Sequence, residues 1–288
     1  MQQLFHIGIP KSGTTTIQST LENDPRLYVT RSRYFTSKDW WLTKQEDFPD
    51  DRIIVESNET MISGGFQKAK LSLVVERMFR TNPKAHIVVT IRDQQKALLS
   101  MYKYHIKRNF EGTHTFQHWL YDTNLGMDYL SLCMYGNIAK LLLAYFPKEQ
   151  LHFLCFEALR ETPKLFYQQF YSAMGISFQA EYMSSEAKNV MQYSDDQLYT
   201  LARWNRFSIA KNDASSPLGS KSFHRTEQRI KKGLVRRFSR KCPELFFDLD
   251  TVEGYSELKE EFRNTNKTLV DLGLADSSQL EQYGYLQY

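Results

Sequence analysis

Apolar runs alternate with segments of helical spacing along roughly the first 180 residues. Three runs are rich in β-branched and aromatic residues and predict buried strands at Phe5–Ile9, Arg52–Val55 and His86–Ile91, and a fourth covers Gln150–Phe156. Between them, apolar residues recur every three or four positions, as they do on one face of a helix. Strands that alternate with helices predict an α/β fold, here a three-layer domain with a central parallel sheet.

The first predicted strand leads through a tight loop into a helix. Residues 9–16 read I-P-K-S-G-T-T-T, and Ile17 and Leu21 begin the helical spacing that follows. The free N–H groups and the positive dipole end of a helix N-terminus attract anions. Lys11 adds a full positive charge, and hydroxyl donors come from four neighbours: Ser12, Thr14, Thr15 and Thr16. This segment therefore predicts a site for a phosphate or a sulfate group.

The loop differs from the Walker A loop of nucleoside triphosphatases. Walker A reads G-x-x-x-x-G-K-[ST], with the Lys after the last Gly and the Ser/Thr hydroxyl on Mg²⁺. In this chain Lys11 precedes Gly13. The residue types suit an anion, but their order is not the one that serves Mg²⁺ and a nucleoside triphosphate.

A second basic group follows another predicted strand. Arg92 comes directly after the run His86–Ile91, and Ser100 lies eight residues further on, in a segment of helical spacing. The planar guanidinium of Arg binds phosphate through two parallel hydrogen bonds. Arg92 is therefore a candidate ligand for a second phosphate.

Both segments resemble sulfotransferases that use 3′-phosphoadenosine 5′-phosphosulfate (PAPS). The sequence I-P-K-S-G-T-T-T resembles their 5′-phosphosulfate loop, and R-D-Q-Q-K-A-L-L-S-M-Y, from Arg92 to Tyr102, has the spacing of their 3′-phosphate ligands. The family usually has Pro where Gln94 stands, a departure that concerns the rigidity of the turn. The resemblance implies PAPS binding by the loop residues and by Arg92 and Ser100; the full set is Lys11, Ser12, Gly13, Thr14, Thr15, Thr16, Arg92, Ser100 and Lys221.

The resemblance also covers later parts of the chain. The element F-E-A-L, from Phe156 to Leu159, resembles the end of a late core strand in the family, and the L-A-R-W-N-R segment at residues 201–206 resembles bacterial members. It is thin between Leu21 and Arg52. The implied architecture is a P-loop-like domain spanning residues 1–288, with a core of about 1–180 and a helical, basic C-terminal extension of about 181–288.

An acidic loop provides the candidate base. Glu56 follows the predicted strand that ends at Val55, and ligands of α/β sheets bind at the carboxyl ends of strands. Lys11, Glu56 and Arg92 are therefore expected at one edge. Resemblance to glycan sulfotransferases, which carry a Glu-x-Ser element here, implies Glu56 as the catalytic base beside Lys11. Glu59 in the same loop and His105 remain alternatives.

The net charge of +4 conceals one strongly basic segment. Residues 221–241 contain nine Lys/Arg and a single acid, and Ile230, Leu234 and Phe238 recur at four-residue spacing, which predicts an amphipathic helix. The segment either closes over the nucleotide, binds the acceptor or forms a solvated face; L-G-S-K, ending at Lys221, weakly resembles a nucleotide-closing loop. Nucleic-acid binding is the least favoured reading, because no reader motif accompanies the charge.

Several classes are disfavoured by what the sequence lacks. No apolar run approaches 18 residues, so no membrane span is expected. Neither C-x-x-C nor H-E-x-x-H occurs, so no metal site is expected. The odd number of cysteines, Cys133, Cys155 and Cys242, favours reduced thiols in a cytoplasmic protein.

The sequence thus predicts an enzyme that transfers a sulfuryl group from PAPS, without a metal, to a hydroxyl of a carbohydrate or another hydroxylated acceptor. Two alternatives remain open at this point. A P-loop kinase acting on a small molecule would need Mg²⁺ and a carboxylate to hold it. A non-catalytic nucleotide-binding relative would keep Lys11, Arg92 and Ser100 but would be indifferent to Glu56.

Overall fold

The computed structural model describes residues 2–31, 34–37, 40, 48–64, 69–110, 115–184, 193–205, 230–231, 233–235 and 237–287. Lys221 and much of the basic segment 221–241 lie outside these ranges. In the part of that segment that is described, Val235 is buried, whereas Ile230 and Phe238 are 57% and 65% exposed. The apolar stripe expected from the four-residue spacing is therefore turned to solvent rather than to the core.

Five parallel strands form one sheet, as the alternation of strands and helices predicts. The strands are β1 (Gln3–His6), β2 (Leu27–Thr30), β3 (Ile53–Ser57), β4 (His86–Ile91) and β5 (Leu151–Cys155). Their order is β2-β3-β1-β4-β5, and every neighbouring pair is parallel. This arrangement confirms the α/β prediction and adds β2, which the apolar pattern did not indicate.

Helices connect the strands and flank the sheet. Those with described bounds that precede residue 206 are α1 (Thr14–Glu22), α2 (Thr60–Ser63), α3 (Leu71–Thr81), α4 (Gln94–Arg108), α5 (Phe116–Asp122), α6 (Asn124–Leu132), α7 (Tyr135–Leu143), α8 (Phe156–Glu161), α9 (Pro163–Ser172) and α10 (Asp195–Asn205). Two further helices, Tyr255–Asp271 and Ser277–Gln282, are called the C-terminal helices below.

The central strand β1 is buried in the core and leads directly into the loop of the candidate site. Phe5 is fully buried and packs edge-on against Phe35, and burial of such a ring stabilises the fold by about 1.5–3 kcal/mol. Beyond the end of β1 the backbone stays paired with β4, since Ile7 N–H donates to Val88 O and Ile9 N–H donates to Thr90 O. The predicted run Phe5–Ile9 therefore remains attached to the sheet up to the loop.

The chain divides into two compact units. The first comprises Met1–Ala97, Leu132–Asn189 and Lys259–Tyr288 and contains the whole sheet; the second comprises Leu98–Ser131 and Val190–Leu258. The sequence predicts a core of about 1–180 and an extension of about 181–288; in the structure Lys259–Tyr288 belong to the unit that contains the sheet. The second unit is centred on aromatic packing of Trp119 with Tyr102 and Phe116.

Candidate active site

The loop between β1 and α1 has an unusual backbone that its sequence explains. Lys11 and Gly13 have φ angles of +75° and +80°, in the left-handed region that favours glycine. A Cβ at position 13 would also lie 2.7 Å from the ring of Phe156, so neither the backbone nor the space admits a side chain there. Gly13 therefore lets the loop turn sharply into the first turn of α1.

Ser12 shapes the loop from within. Its hydroxyl donates to Ile9 O at 2.6 Å, its N–H donates to the same oxygen at 3.1 Å, and the residue is fully buried. The sequence predicts that Ser12 is one of four hydroxyl donors to an anion. In this structure its hydroxyl is already engaged inside the loop, so its contribution is to hold the loop's shape.

The first turn of α1 presents polar groups beside the loop. The first N–H groups of a helix have no acceptor within the helix. Thr14 is buried, and its Oγ1 has no hydrogen-bond partner among the described residues. Thr15 and Thr16 are half-buried in the same turn. A buried hydroxyl without a partner costs about 1–3 kcal/mol, so this turn fits a polar ligand that satisfies Thr14.

Arg92 is tied to the loop from the neighbouring strand β4. One terminal N–H of its guanidinium donates to Lys11 O at 2.8 Å, and the group lies over the Phe156 ring, 4.9 Å from its centroid. Its Nε is buried and lacks a hydrogen-bond partner among the described residues. Lys11 and Arg92 thus meet at one edge of the sheet, as the sequence predicts, and the buried Nε of Arg92 and Oγ1 of Thr14 are polar atoms that fit an anion.

Glu56 lies inside the sheet layer. The residue is 2% exposed, and its Oε1 accepts a hydrogen bond from Gln3 Nε2 at 2.8 Å. Gln3 pairs with Ile54 in the sheet register, two residues before Glu56. Gln3 Oε1 in turn accepts from Asn82 Nδ2. The contact with Gln3 therefore occupies one carboxylate oxygen of Glu56 inside the sheet layer.

Glu59 lies at the carboxyl end of β3 and is exposed. Desolvation by its surroundings raises the pKa of its carboxyl, while the charge of Lys11 acts in the opposite direction. The preceding turn is fixed by Asn58, whose N–H donates to His6 O and whose Oδ1 accepts from Thr60 N–H. Glu59 therefore interacts electrostatically with Lys11.

Two buried histidines, His6 and the alternative base His105, are structural. His105 lies in the second unit, where its Nδ1 accepts from Trp119 Nε1 at 2.7 Å, and burial lowers its pKa to about 4. His6 lies between Ser57 Oγ and Thr90 Oγ1, each at 2.8 Å, and burial lowers its pKa to about 3. Both rings are enclosed and neutral near pH 7, which disfavours His105 as an accessible base.

Two of the predicted ligands, Ser100 and Lys221, are assigned from the sequence alone. Ser100 is half-buried in α4 and belongs to the second unit. Lys221 lies outside the described residues. Their assignment to the nucleotide stays a prediction from the sequence.

The three cysteines are unpaired. Burial raises the pKa of the thiols of Cys133 and Cys155, so neither is a ready nucleophile near neutral pH.

Within the described ranges, no cluster of three or more His, Cys, Asp or Glu could hold a metal, and no helix is both long and apolar enough to cross a bilayer.

Phe156 is a site residue that the sequence does not indicate, because the pattern predicts only the end of a core strand there. It supports the Arg92 guanidinium and fills the space beside Gly13. In the sequence, Phe156 is marked only by its position at the end of the apolar run that contains β5. The contact itself joins distant parts of the chain and has no local signature.

Comparison with known proteins places the chain among one class of transferases. Residues 1–237 match the family model Sulfotransfer_1, described as sulfotransferase domain. The structure is similar to a sulfotransferase from Alicyclobacillus acidocaldarius, with a TM-score of 0.52 and 16% identity over 72% of this chain and 94% of that chain. It also matches mouse sulfotransferase SULT7A1 complexed with PAP, with a TM-score of 0.46 and 14% identity over 99% of this chain and 88% of that chain. No curated protein matches the chain.

Proposed function

The chain belongs to the sulfotransferase domain family and transfers sulfuryl groups, and from this premise we propose that PAPS is its donor and a carbohydrate hydroxyl its acceptor. The observation that carries the donor assignment is the junction of Lys11 and Arg92 beside the N-terminus of α1. It joins two cations and a helix N-terminus, which suits a donor with anionic groups at two positions. Family membership decides against the kinase alternative.

Each group at the junction has a role in this proposal. The first turn of α1, with Thr14, Thr15 and Thr16, binds the 5′-phosphosulfate, and Arg92 binds the 3′-phosphate. Lys11 stabilises the negative charge that develops as the sulfuryl group leaves the donor phosphate, in the manner of an oxyanion-hole donor. The positive charge that this reaction needs thus comes from side chains and backbone N–H groups.

We assign the base to Glu59 rather than to Glu56. A base must reach the acceptor hydroxyl, and its pKa should lie nearer the working pH than that of an ordinary glutamate. Glu59 is exposed beside Lys11 and its pKa is raised, whereas Glu56 is buried and bonded to Gln3. An accessible base next to Lys11 also supports an enzyme over a non-catalytic relative.

The acceptor assignment rests on the acidic loop at the carboxyl end of β3. The resemblance of the acidic loop to that of glycan sulfotransferases supports a carbohydrate, and other hydroxylated compounds remain within the same chemistry.

The three unpaired cysteines, two of them buried, suit a reducing cytoplasm, which we propose as the compartment.

The decisive experiment is transfer of label from ³⁵S-PAPS to a panel of polysaccharides, oligosaccharides, phenols and alcohols. Label on carbohydrates is the expected result. Label only on phenols or simple alcohols would overturn the acceptor assignment and leave the donor intact. Calorimetry with 3′-phosphoadenosine 5′-phosphate (PAP) and with Mg-ATP tests the donor separately, and tighter binding of ATP would overturn it.

A further inference from the structure

The C-terminal helices lie beyond the residues that match the family model, yet they reach the nucleotide side of the first unit. Residues 1–237 match that model, and Lys259–Tyr288 pack within the unit that contains β4. The contact reaches Gln94 directly and Asp93 through Glu157, and these two residues together with Arg92 are called the Arg92 turn below.

Tyr285 supports this turn through a buried carboxylate. The Tyr285 side chain is completely enclosed, and its hydroxyl donates to Glu157 Oε2 at 2.7 Å. The other carboxylate oxygen, Oε1, accepts from Asp93 N–H at 3.2 Å. A phenol near the end of the chain is thereby connected, through one side chain, to the backbone of the residue that follows Arg92.

Asn266 supports the same turn at its next residue. Its Oδ1 accepts from Gln94 Nε2 at 2.7 Å, and its Nδ2 donates to Gln94 Oε1 at 3.1 Å. The same Nδ2 donates to the backbone oxygen of Tyr285 at 2.8 Å. Gln94 and Asn266 are both fully buried, so this paired amide contact is shielded from water.

The Arg92 turn is therefore held on several sides. The Tyr135 hydroxyl donates to Arg92 O and accepts from Arg92 N–H, while the guanidinium rests on Phe156, the neighbour of Glu157. The direction of a guanidinium follows from its backbone and its ring support. Supports at Asp93 and Gln94 consequently determine where the unsatisfied Arg92 Nε lies.

We propose that Tyr285 and Asn266 are positioning residues for Arg92 and thereby set the enzyme's affinity for nucleotides that carry a 3′-phosphate. The inference rests on the proposed function, in which Arg92 binds that phosphate. Neither residue touches the nucleotide in this proposal. A loosened Arg92 turn should weaken ligands with the 3′-phosphate and spare ligands without it.

The test compares PAP with adenosine 5′-phosphate by calorimetry on variants whose thermal unfolding is measured in parallel. Tyr285→Phe keeps the ring and removes the donor to Glu157; Asn266→Asp keeps the volume and removes the Nδ2 donor. Both should weaken PAP by roughly tenfold, the lower end of the effect of residues that orient a ligating group, and leave adenosine 5′-phosphate unchanged. Tyr283→Phe, at a buried tyrosine of the same segment, is the matched control and should change neither ligand.

A kinetic readout separates positioning from general stability. The KM for PAPS should rise in Tyr285→Phe while turnover at saturating PAPS is kept, and the Michaelis constant for the acceptor should not move. Arg92→Ala serves as the reference. If it weakens PAP selectively and Tyr285→Phe and Asn266→Asp do not, the positioning role is overturned and the proposed function stands. If Arg92→Ala weakens both ligands equally, the assignment of Arg92 fails and the positioning role fails with it.

Discussion

At the scale of single residues, the loop depends on Gly13 for two separate reasons. Its φ of +80° strains any other residue, and a Cβ would meet Phe156 at 2.7 Å and Leu159 at 2.9 Å. Gly13→Ala should therefore cost about 1–3 kcal/mol of stability and weaken PAP binding, as seen by denaturant unfolding and calorimetry. Gly175→Ala is the matched control, since φ is +64° there but the nearest atom lies 3.7 Å away. Equal effects of both changes would show that backbone strain alone is responsible.

Lys11 is predicted to act on the transition state more than on ground-state binding. Lys11→Ala should lower turnover by roughly 10²–10³, the scale for loss of one donor to a developing oxyanion. Lys84→Ala, an exposed lysine at the opposite end of β4, should leave turnover unchanged. Steady-state kinetics with PAPS measures both constants. A raised KM for PAPS at normal turnover would mean that Lys11 only binds the donor.

Glu59 and Glu56 are distinguished by parallel Gln substitutions. Glu59→Gln should lower turnover by about 10²–10⁴ with PAP affinity retained, because it removes the base and keeps the shape. Glu56→Gln should retain turnover, since that side chain is buried against Gln3. The base works only when deprotonated, so activity should fall as the pH drops through the pKa of Glu59, which is raised relative to that of an ordinary glutamate. Loss of turnover in Glu56→Gln but not in Glu59→Gln would show that Glu56 is the base, as the sequence predicts.

At the scale of secondary-structure elements, His6 joins the three strands that carry the site. It lies in β1 and contacts Ser57 of β3 and Thr90 of β4. Its neutral ring is part of the packing directly below the loop, because a Cβ on Gly8 would lie 3.1 Å from His6 Nε2. Protonation of this ring is therefore unfavourable in the folded state.

This burial predicts a specific loss of stability in mild acid. The folded pKa of about 3 is below the ordinary value of 6.5, so the unfolded chain binds the proton first and stability falls as the pH drops from 6.5 toward 3. At pH 5 the contribution lost should be about 2 kcal/mol. The measurement is urea unfolding at pH 7 and pH 5 for wild type and His6→Asn. An equal pH dependence in both would show that other groups control acid sensitivity; His105→Asn controls for the second buried ring.

At the scale of the whole molecule, the positive charge at the site comes from side chains and a helix N-terminus. We therefore expect PAPS turnover to survive dialysis against EDTA unchanged. PAP present at a hundredfold excess over its Kd should stabilise the fold by about 2.7 kcal/mol, with or without EDTA. Thermal unfolding and the transfer assay check both expectations. Loss of activity in EDTA that added Mg²⁺ restores would contradict them.

The sequence alone determined the parts of the protein that are local or follow from sheet topology. The residue order from Phe5 to Thr16 specifies a strand, a loop and a helix start, and Arg92 directly follows a strand. Parallel strands end at one edge, so these two segments had to meet there. The α/β fold and the junction of Lys11 with Arg92 could therefore be predicted without coordinates.

Only the tertiary structure decided which way individual side chains turn and what distant segments touch. Glu56 and Glu59 are three residues apart with similar local context, and the contact of one with Gln3 and the proximity of the other to Lys11 separate them. Gln94 and Asn266 are 172 positions apart in the chain, and no local sequence pattern predicts their contact. Hydrophobic periodicity states which face of an element is buried, but not which residue of another element fills that space. Such pairings depend on packing, which the folded chain alone specifies.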